Sequence, residues 1–226
     1  MKNAVKLLGL AFCMAFFSSC CSYKGKVMLE SCSSVLFGVT AGANSSNFSE
    51  GGEYDYGGQD NASRIGVQLG ARAFLPINDN FSVESGLGFA SKGSTTDFGS
   101  ESDGGEVFSL EERTRLSYLE VPILARYQFN NTGFSTFAGL QPSLLLSAKQ
   151  EVEGTGQPSV SMDVKDSFKN FDTAAVLGVG YQFNNGLQLN ASYDFGLVNI
   201  VDSNTQGLGE LRNRSLKLSL GYIFGK

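Results

Sequence analysis

The chain of 226 residues has no histidine and no tryptophan, and all four of its cysteines (Cys13, Cys20, Cys21, Cys32) fall at or before position 32. Without histidine, the Ser-His-Asp and Asp-His arrangements of hydrolytic sites are unavailable. Zinc sites built from cysteine and histidine are excluded from the body of the chain for the same reason. With no cysteine beyond position 32, the body also has no disulfide framework. Proline is scarce, four residues in all, and no Pro/Ser-rich or single-sign tract divides the chain, so one main domain is expected. No internal stretch approaches the ~18 apolar residues that a transmembrane helix needs, which excludes a helical membrane protein. The formal charge is −5. An acidic chain lacks the lysines and arginines that neutralise phosphates, so nucleic acid is not an expected partner.

Two weak chemical signals have plainer readings. Gly86-Leu-Gly88 followed by Lys92 lacks the spacing of a phosphate loop and opens no helix, so it reads as a glycine-lined strand. The paired carboxylates Glu111 and Glu112 read as solvated loop charges rather than an acid/base pair. The acidic stretches carry no calcium-loop pattern. No enzyme, cofactor or metal site is expected.

Glycine (28 residues) and phenylalanine (18) are the abundant residues, a composition that fits glycine-punctuated strands better than helices. The N-terminus has the anatomy of an export segment, with basic Lys2 and Lys6, an apolar run from Val5 to Phe17, and small Ser18 and Ser19. Residues 1–20 are read as a signal peptide, 21–34 as a periplasmic lead and 35–226 as the folded domain. Ordinary cleavage is one outcome. Lipidation at Cys20 is the other, although Phe17 stands where a lipoprotein signal usually has an aliphatic residue. Loss of Lys2 and Lys6 takes the formal charge from −5 to −7.

Three turn signals recur along the body: Pro76-Ile-Asn-Asp-Asn80, Asn130-Asn-Thr-Gly133 and Asn184-Asn-Gly186. Each is flanked by alternating apolar segments, which is a hairpin signal. Between them lie polar stretches at roughly 49–62, 93–112, 149–171 and 200–212. Three short turns and four long loops connect eight strands, with short turns on one rim and long loops on the other.

The strands alternate strictly. Leu187, Leu189, Ala191, Tyr193 and Phe195 interleave with Gln188, Asn190, Ser192 and Asp194. Leu216, Leu218, Leu220, Tyr222 and Phe224 interleave with Lys217, Ser219 and Gly221. Each strand therefore has one apolar and one polar face. The polar faces hold mostly Gly, Ser, Gln and Asn with charges of both signs, as a narrow lumen requires. Aromatics (Phe81, Tyr127, Phe129, Phe134, Tyr181, Phe183, Tyr222, Phe224) cluster beside the short turns, where an interfacial girdle sits. These features favour an all-β, eight-stranded antiparallel up-and-down transmembrane barrel facing outer-membrane lipid. A soluble or periplasmic lipocalin-like barrel that binds an apolar ligand would also alternate, with its apolar face inward.

The segments FGVTAGANSSNF (37–48), YLEVPILARYQF (118–129), GVGYQFNNG (178–186) and YDFGLVNI (193–200) resemble the PorT-like outer-membrane β-barrel family, within the broader OmpA/OmpX-like eight-stranded barrels of Gram-negative bacteria. The resemblance covers about Phe37 to Phe224. It implies eight strands, a periplasmic N-terminus, long surface loops and, for a few members, a part in secretion or surface organisation. Gly225 and Lys226 after Phe224 depart from the usual aromatic ending of such chains.

Eight strands enclose an interior only wide enough for side chains. Inward-facing Arg72, Glu84, Glu120, Arg126, Asp194 and Lys217 are expected to form a lumen charge network, with Arg72, Glu84 and Arg126 at one depth and Asp194 matched to Lys217. That network reads as a plug, with a narrow pore as the alternative. Pro122 and Pro142, at similar depth on adjacent strands, predict a shared bulge in the wall. The acidic loops 49–62 and 93–112, with Tyr54, Tyr56, Phe98 and Phe108, are the candidate contact surface for a protein partner. A monomer is expected.

Overall fold

The computed structural model describes residues 35–51, 60–103, 106–129, 132–154, 159–202 and 210–224. Residues 1–34, on which the expected export segment, Cys20 and the lead fall, lie outside the described residues, as do 52–59, with Tyr54 and Tyr56, and 203–209.

Alternation becomes strand pairing along almost the whole described chain. The strands are β1 (Leu36–Gly51), β2 (Asp60–Pro76), β3 (Phe81–Asp103), β4 (Glu106–Glu120), β5 (Ile123–Gln128), β6 (Phe134–Gly154), β7 (Val160–Asp163), β8 (Phe171–Gln182), β9 (Leu187–Gly196) and β10 (Glu210–Phe224). Strands pair antiparallel around the wall in chain order, and β1 also pairs with β10 from Phe37↔Phe224 to Gly51↔Glu210, which closes the ring. β4 and β5 are two parts of one course, because both lie between β3 and β6. β7 only adds a short ladder beside the far end of β6. Eight staves therefore close an up-and-down barrel with no open edge in its wall.

The short turns are built by the residues that announced them. The Asn78 side-chain oxygen accepts from the backbone N–H of Asn80 at 3.1 Å and of Phe81 at 2.8 Å. Gly133 (φ 77°) and Gly186 (φ 88°) occupy the left-handed region that a tight reversal requires and that a side chain would strain.

The apolar face points outward. Leu69 (60%), Leu177 (57%) and Leu218 (57%) are largely exposed, as are Val67, Val179, Leu216 and Leu220, while Glu84, Lys92, Glu120, Asp194 and Lys217 are buried. A soluble barrel would be apolar inside, and this inversion overturns the lipocalin-like alternative. On β10 the exposed apolar series runs over nine residues, Leu216 to Phe224, matching the ~9–11 residues of a tilted membrane-crossing strand. Beside the short turns, Tyr127 packs on Phe129, Tyr181 on both Phe134 and Phe183, and Tyr222 on Phe224, with ring centroids 4.8–5.4 Å apart.

Two expectations need correction. Residues 93–112 are not a loop: β3 and β4 continue as a paired hairpin to Asp103↔Glu106, with a register shift between Asp97 and Ser100. Serine, threonine, glycine and charge dominate this stretch of sequence, and without an apolar alternation it reads as loop although a ladder forms. The two prolines do not share a bulge either. Registers run unshifted past both, from Glu120↔Ser143 to Ile123↔Leu140 and through Pro142↔Thr173. Pro122 simply lacks a ladder donor and interrupts the strand assignment. The shift lies nearby, where Ser117↔Ser147 gives way to Tyr118↔Leu145 and Leu146 is the extra residue.

Candidate functional site

The interior is the most constrained region of the molecule. It is organised in three levels along the barrel axis.

Nearest the short turns, Arg126 on β5 is held by Glu84 on β3. Its Nη2 and Nε donate to Glu84 Oε2 at 2.7 and 3.1 Å, and its Nη1 donates to Ser135 Oγ at 2.8 Å and Asn190 Oδ1 at 3.3 Å. Arg72 on β2 reaches the other carboxylate oxygen at 3.3 Å. The Arg126 guanidinium also lies over the Phe137 ring, 4.4 Å from its centroid. Glycines make the room. A Cβ on Gly180 would sit 2.9 Å from Arg126 Nη1 and 3.0 Å from Ser135 Oγ, and one on Gly178 would overlap the Phe137 ring.

The middle level joins four charges from four strands. Lys217 Nζ lies 2.7 Å from Asp194 Oδ2 and 2.9 Å from Glu120 Oε2. Lys92 Nζ lies 2.7 Å from Glu120 Oε1 and 3.7 Å from Asp194 Oδ2. Gln141 donates to Asp194 at 3.0 Å. Further out, Asn213 Nδ2 donates to Asp172 Oδ2 at 2.8 Å and to the Tyr118 hydroxyl at 3.2 Å.

The outer level is apolar. Leu116, Tyr118, Leu145, Ala148, Phe168 and Ile200 form a buried cluster, with Phe48, Val164 and Leu211 packed against it. Phe168 and Ile200 come from segments outside the barrel staves. A short 3₁₀ turn (Lys165–Ser167) and the stretch after β9 fold together through Lys169 N→Ile200 O (2.7 Å) and Asp202 N→Ser167 O (3.0 Å). The polar stretches 149–171 and 200–212 therefore contribute a hydrophobic lid as well as surface.

Among the sequence-derived residues, Arg72, Glu84 and Arg126 form one group, and Asp194, Lys217 and Glu120 another. The contacts are diagonal rather than directly opposed: Arg72 is in register with Gly86, and Lys217 with Ser192. Lys92, Asp172 and Asn213 were missed. For Lys92 the period-2 signal is lost, because the apolar series ends at Phe89 and the stretch from Ala90 to Ser94 holds only small or polar residues. Asp172 and Asn213 stand beside stretches whose polarity reads as loop. With them, the levels hold four cations (Arg72, Lys92, Arg126, Lys217) and four carboxylates (Glu84, Glu120, Asp172, Asp194). Between the lower and middle levels lies a cavity of about 50 Å³, lined by residues including Arg72, Glu84, Arg126, Gln141, Asn190 and Lys217. That holds a few water molecules at most. Among the described residues no group of histidine, cysteine or carboxylate side chains is placed to hold a metal.

A closed barrel, lipid-facing outside and charged inside, defines an integral β-barrel membrane protein. The chain belongs to the outer membrane protein β-barrel domain family, whose model matches residues 26–202, and it resides in the outer membrane in contact with lipid. The match stops short of β10, which the fold supplies. Among solved structures it is similar to Ail, the attachment invasion locus protein of Yersinia pestis, in complex with the heparin analogue sucrose octasulfate (16% identity, TM-score 0.43, covering 84% of this chain and 99% of that one). It is likewise similar to Neisserial surface protein A (16% identity, TM-score 0.48, 82% and 96%) and to OprG of Pseudomonas aeruginosa (15% identity, TM-score 0.37, 85% and 95%). No curated protein sequence matches the chain.

Proposed function

We propose that the protein is a non-enzymatic, monomeric surface protein whose lumen is a plug and whose activity lies in protein contacts at the long-loop rim, as an accessory to secretion or assembly. The observation that carries this reading is the interior itself. Among the described residues paired charges and an apolar lid occupy it around a cavity of only about 50 Å³, which supports a lumen closed to solutes, and the wall is committed to lipid. The working surface is then the outer rim, where β3 and β4 run as a hairpin to Asp103 and Glu106, beyond the last pairing of β2, Asp60↔Asp97.

The sequence of that rim suits a basic partner. Residues 49–62 hold Glu50, Glu53, Asp55 and Asp60, and residues 93–112 hold Asp97, Glu101, Asp103, Glu106, Glu111 and Glu112. Such charge steers association and weakens it as salt rises. Tyr54, Tyr56, Phe98 and Phe108 supply the kind of side chain that anchors interfaces. The part in secretion or assembly rests on the PorT-like resemblance of the strand motifs. The test is to replace the β1–β2 and β3–β4 connections with short turns, keep all eight staves, and cross-link in native envelopes. The cross-linked partners should disappear. Unchanged partners and an unchanged envelope phenotype would reject the reading.

A further inference from the structure

Just beyond the apolar belt, on the long-loop side, the outer wall becomes basic. Arg115 on β4 and Lys149 on β6 are register partners, and both are exposed. Like charges directly opposite one another across a ladder repel, and neither makes an ion pair among the described residues. Their neighbour Arg113 is different: it is bound by Glu111 at 2.8 Å and Glu153 at 3.3 Å. A third cation adjoins the pair, since Lys165 Nζ donates to the Leu146 carbonyl at 3.0 Å. The nearby carboxylates are Asp163, in register with Lys149 and accepting from the Lys165 backbone N–H at 3.0 Å, and Glu151, in register with Arg113. On the other rim, the only charged residue of the Pro76–Asn80 turn is Asp79, and no outward-facing base adjoins the short turns among the described residues.

The patch adjoins the lipid-facing surface across one pair of serines, Ser117 and Ser147. Leu144 (51%) and Leu146 (48%) are exposed on β6 just inside Lys149. A ligand there meets cations at headgroup depth and leucines at acyl-chain depth. Arg and Lys with apolar stems are suited to that boundary, and guanidinium matches phosphate geometry. We propose that Arg115, Lys149 and Lys165 form a docking surface for the phosphate groups of an anionic glycolipid in the outer leaflet. The membrane-continuous position selects a lipid over a soluble anion. The location on the long-loop side selects the outer leaflet, because long loops are external in such barrels.

The test uses the full-length protein in nanodiscs of phosphatidylcholine alone, or with added phosphatidylglycerol, or with added lipid A, and counts bound lipid by native mass spectrometry. Wild type should retain lipid A in preference to phosphatidylglycerol, and inorganic phosphate should not displace it. The R115Q/K149Q/K165Q variant should lose retention about tenfold while keeping the folded gel mobility, since all three side chains lie outside the core. Equal retention of phosphatidylglycerol, displacement by inorganic phosphate, or undiminished retention in the variant would overturn the proposal. The wild-type comparison decides the matter even if the variant does not fold.

Discussion

Arg126 shows how one side chain organises the lower lumen. Its guanidinium spends five donated bonds on Glu84, Ser135 and Asn190 and rests on Phe137. Removing one partner of such a buried pair strands the other charge and costs about 3–5 kcal/mol. Glu84→Ala leaves both Arg72 and Arg126 uncompensated, so its unfolding free energy in lipid vesicles should fall by that amount. Glu101→Ala, in the β3–β4 hairpin, should stay within about 0.5 kcal/mol of wild type. Equal effects from the two would place Glu84 outside the packed interior. Gly180→Ala tests the same level from β8, two staves from Arg126, because the added methyl meets Asn190, Arg126 and Ser135. Overpacking of this kind costs about 1–3 kcal/mol, and urea titration of the folded fraction reads it. At this scale the six charges were legible, because strand parity assigns each to the polar face. Lys92 was not, since the small and polar residues from Ala90 to Ser94 carry no apolar alternation to extend the parity, and only its contact with Glu120 in three dimensions reveals its place.

The staves and the short turns follow from sequence with little loss. Asn78, Gly133 and Gly186 sit in tight reversals because side-chain capping or a positive φ is needed there, and strict period-2 alternation sets the register on both sides. The outer halves of β3, β4 and β6 were read as loops, because their sequences are largely polar and carry no sustained hydrophobic alternation. Phe168 and Ile200 were lost for a related reason: single apolar residues in polar stretches carry no period, yet they complete the lid. These elements should differ in what they contribute. Cutting the β3–β4 hairpin back to Asp97 and Glu111 removes no stave and no lid residue. The folded gel band should persist, with an unfolding midpoint close to wild type. Phe168→Ala opens the buried outer cluster and should cost about 3–5 kcal/mol by the same urea measurement. A stable Phe168→Ala protein would show that the lid does not pack.

For the whole molecule, the arrangement inverts that of a soluble domain. Leucines and valines face lipid, and the charges are sequestered and mutually neutralised inside. The protein should therefore fold only with detergent or lipid, and its folded and boiled forms should migrate differently on gels. Recovery as a detergent-free soluble monomer with native β-structure would contradict that placement. The proposed plug is the central claim, because the assignment of activity to the rim depends on it. The most direct measurement is single-channel recording of the purified, folded protein in planar lipid bilayers. A lumen blocked by Lys92, Glu120, Asp194 and Lys217 beneath the Phe168–Ile200 lid predicts no stable conductance steps from wild type across the usual voltage range. Large, long-lived, reproducible steps from wild type would show an open path through the barrel and contradict the plug.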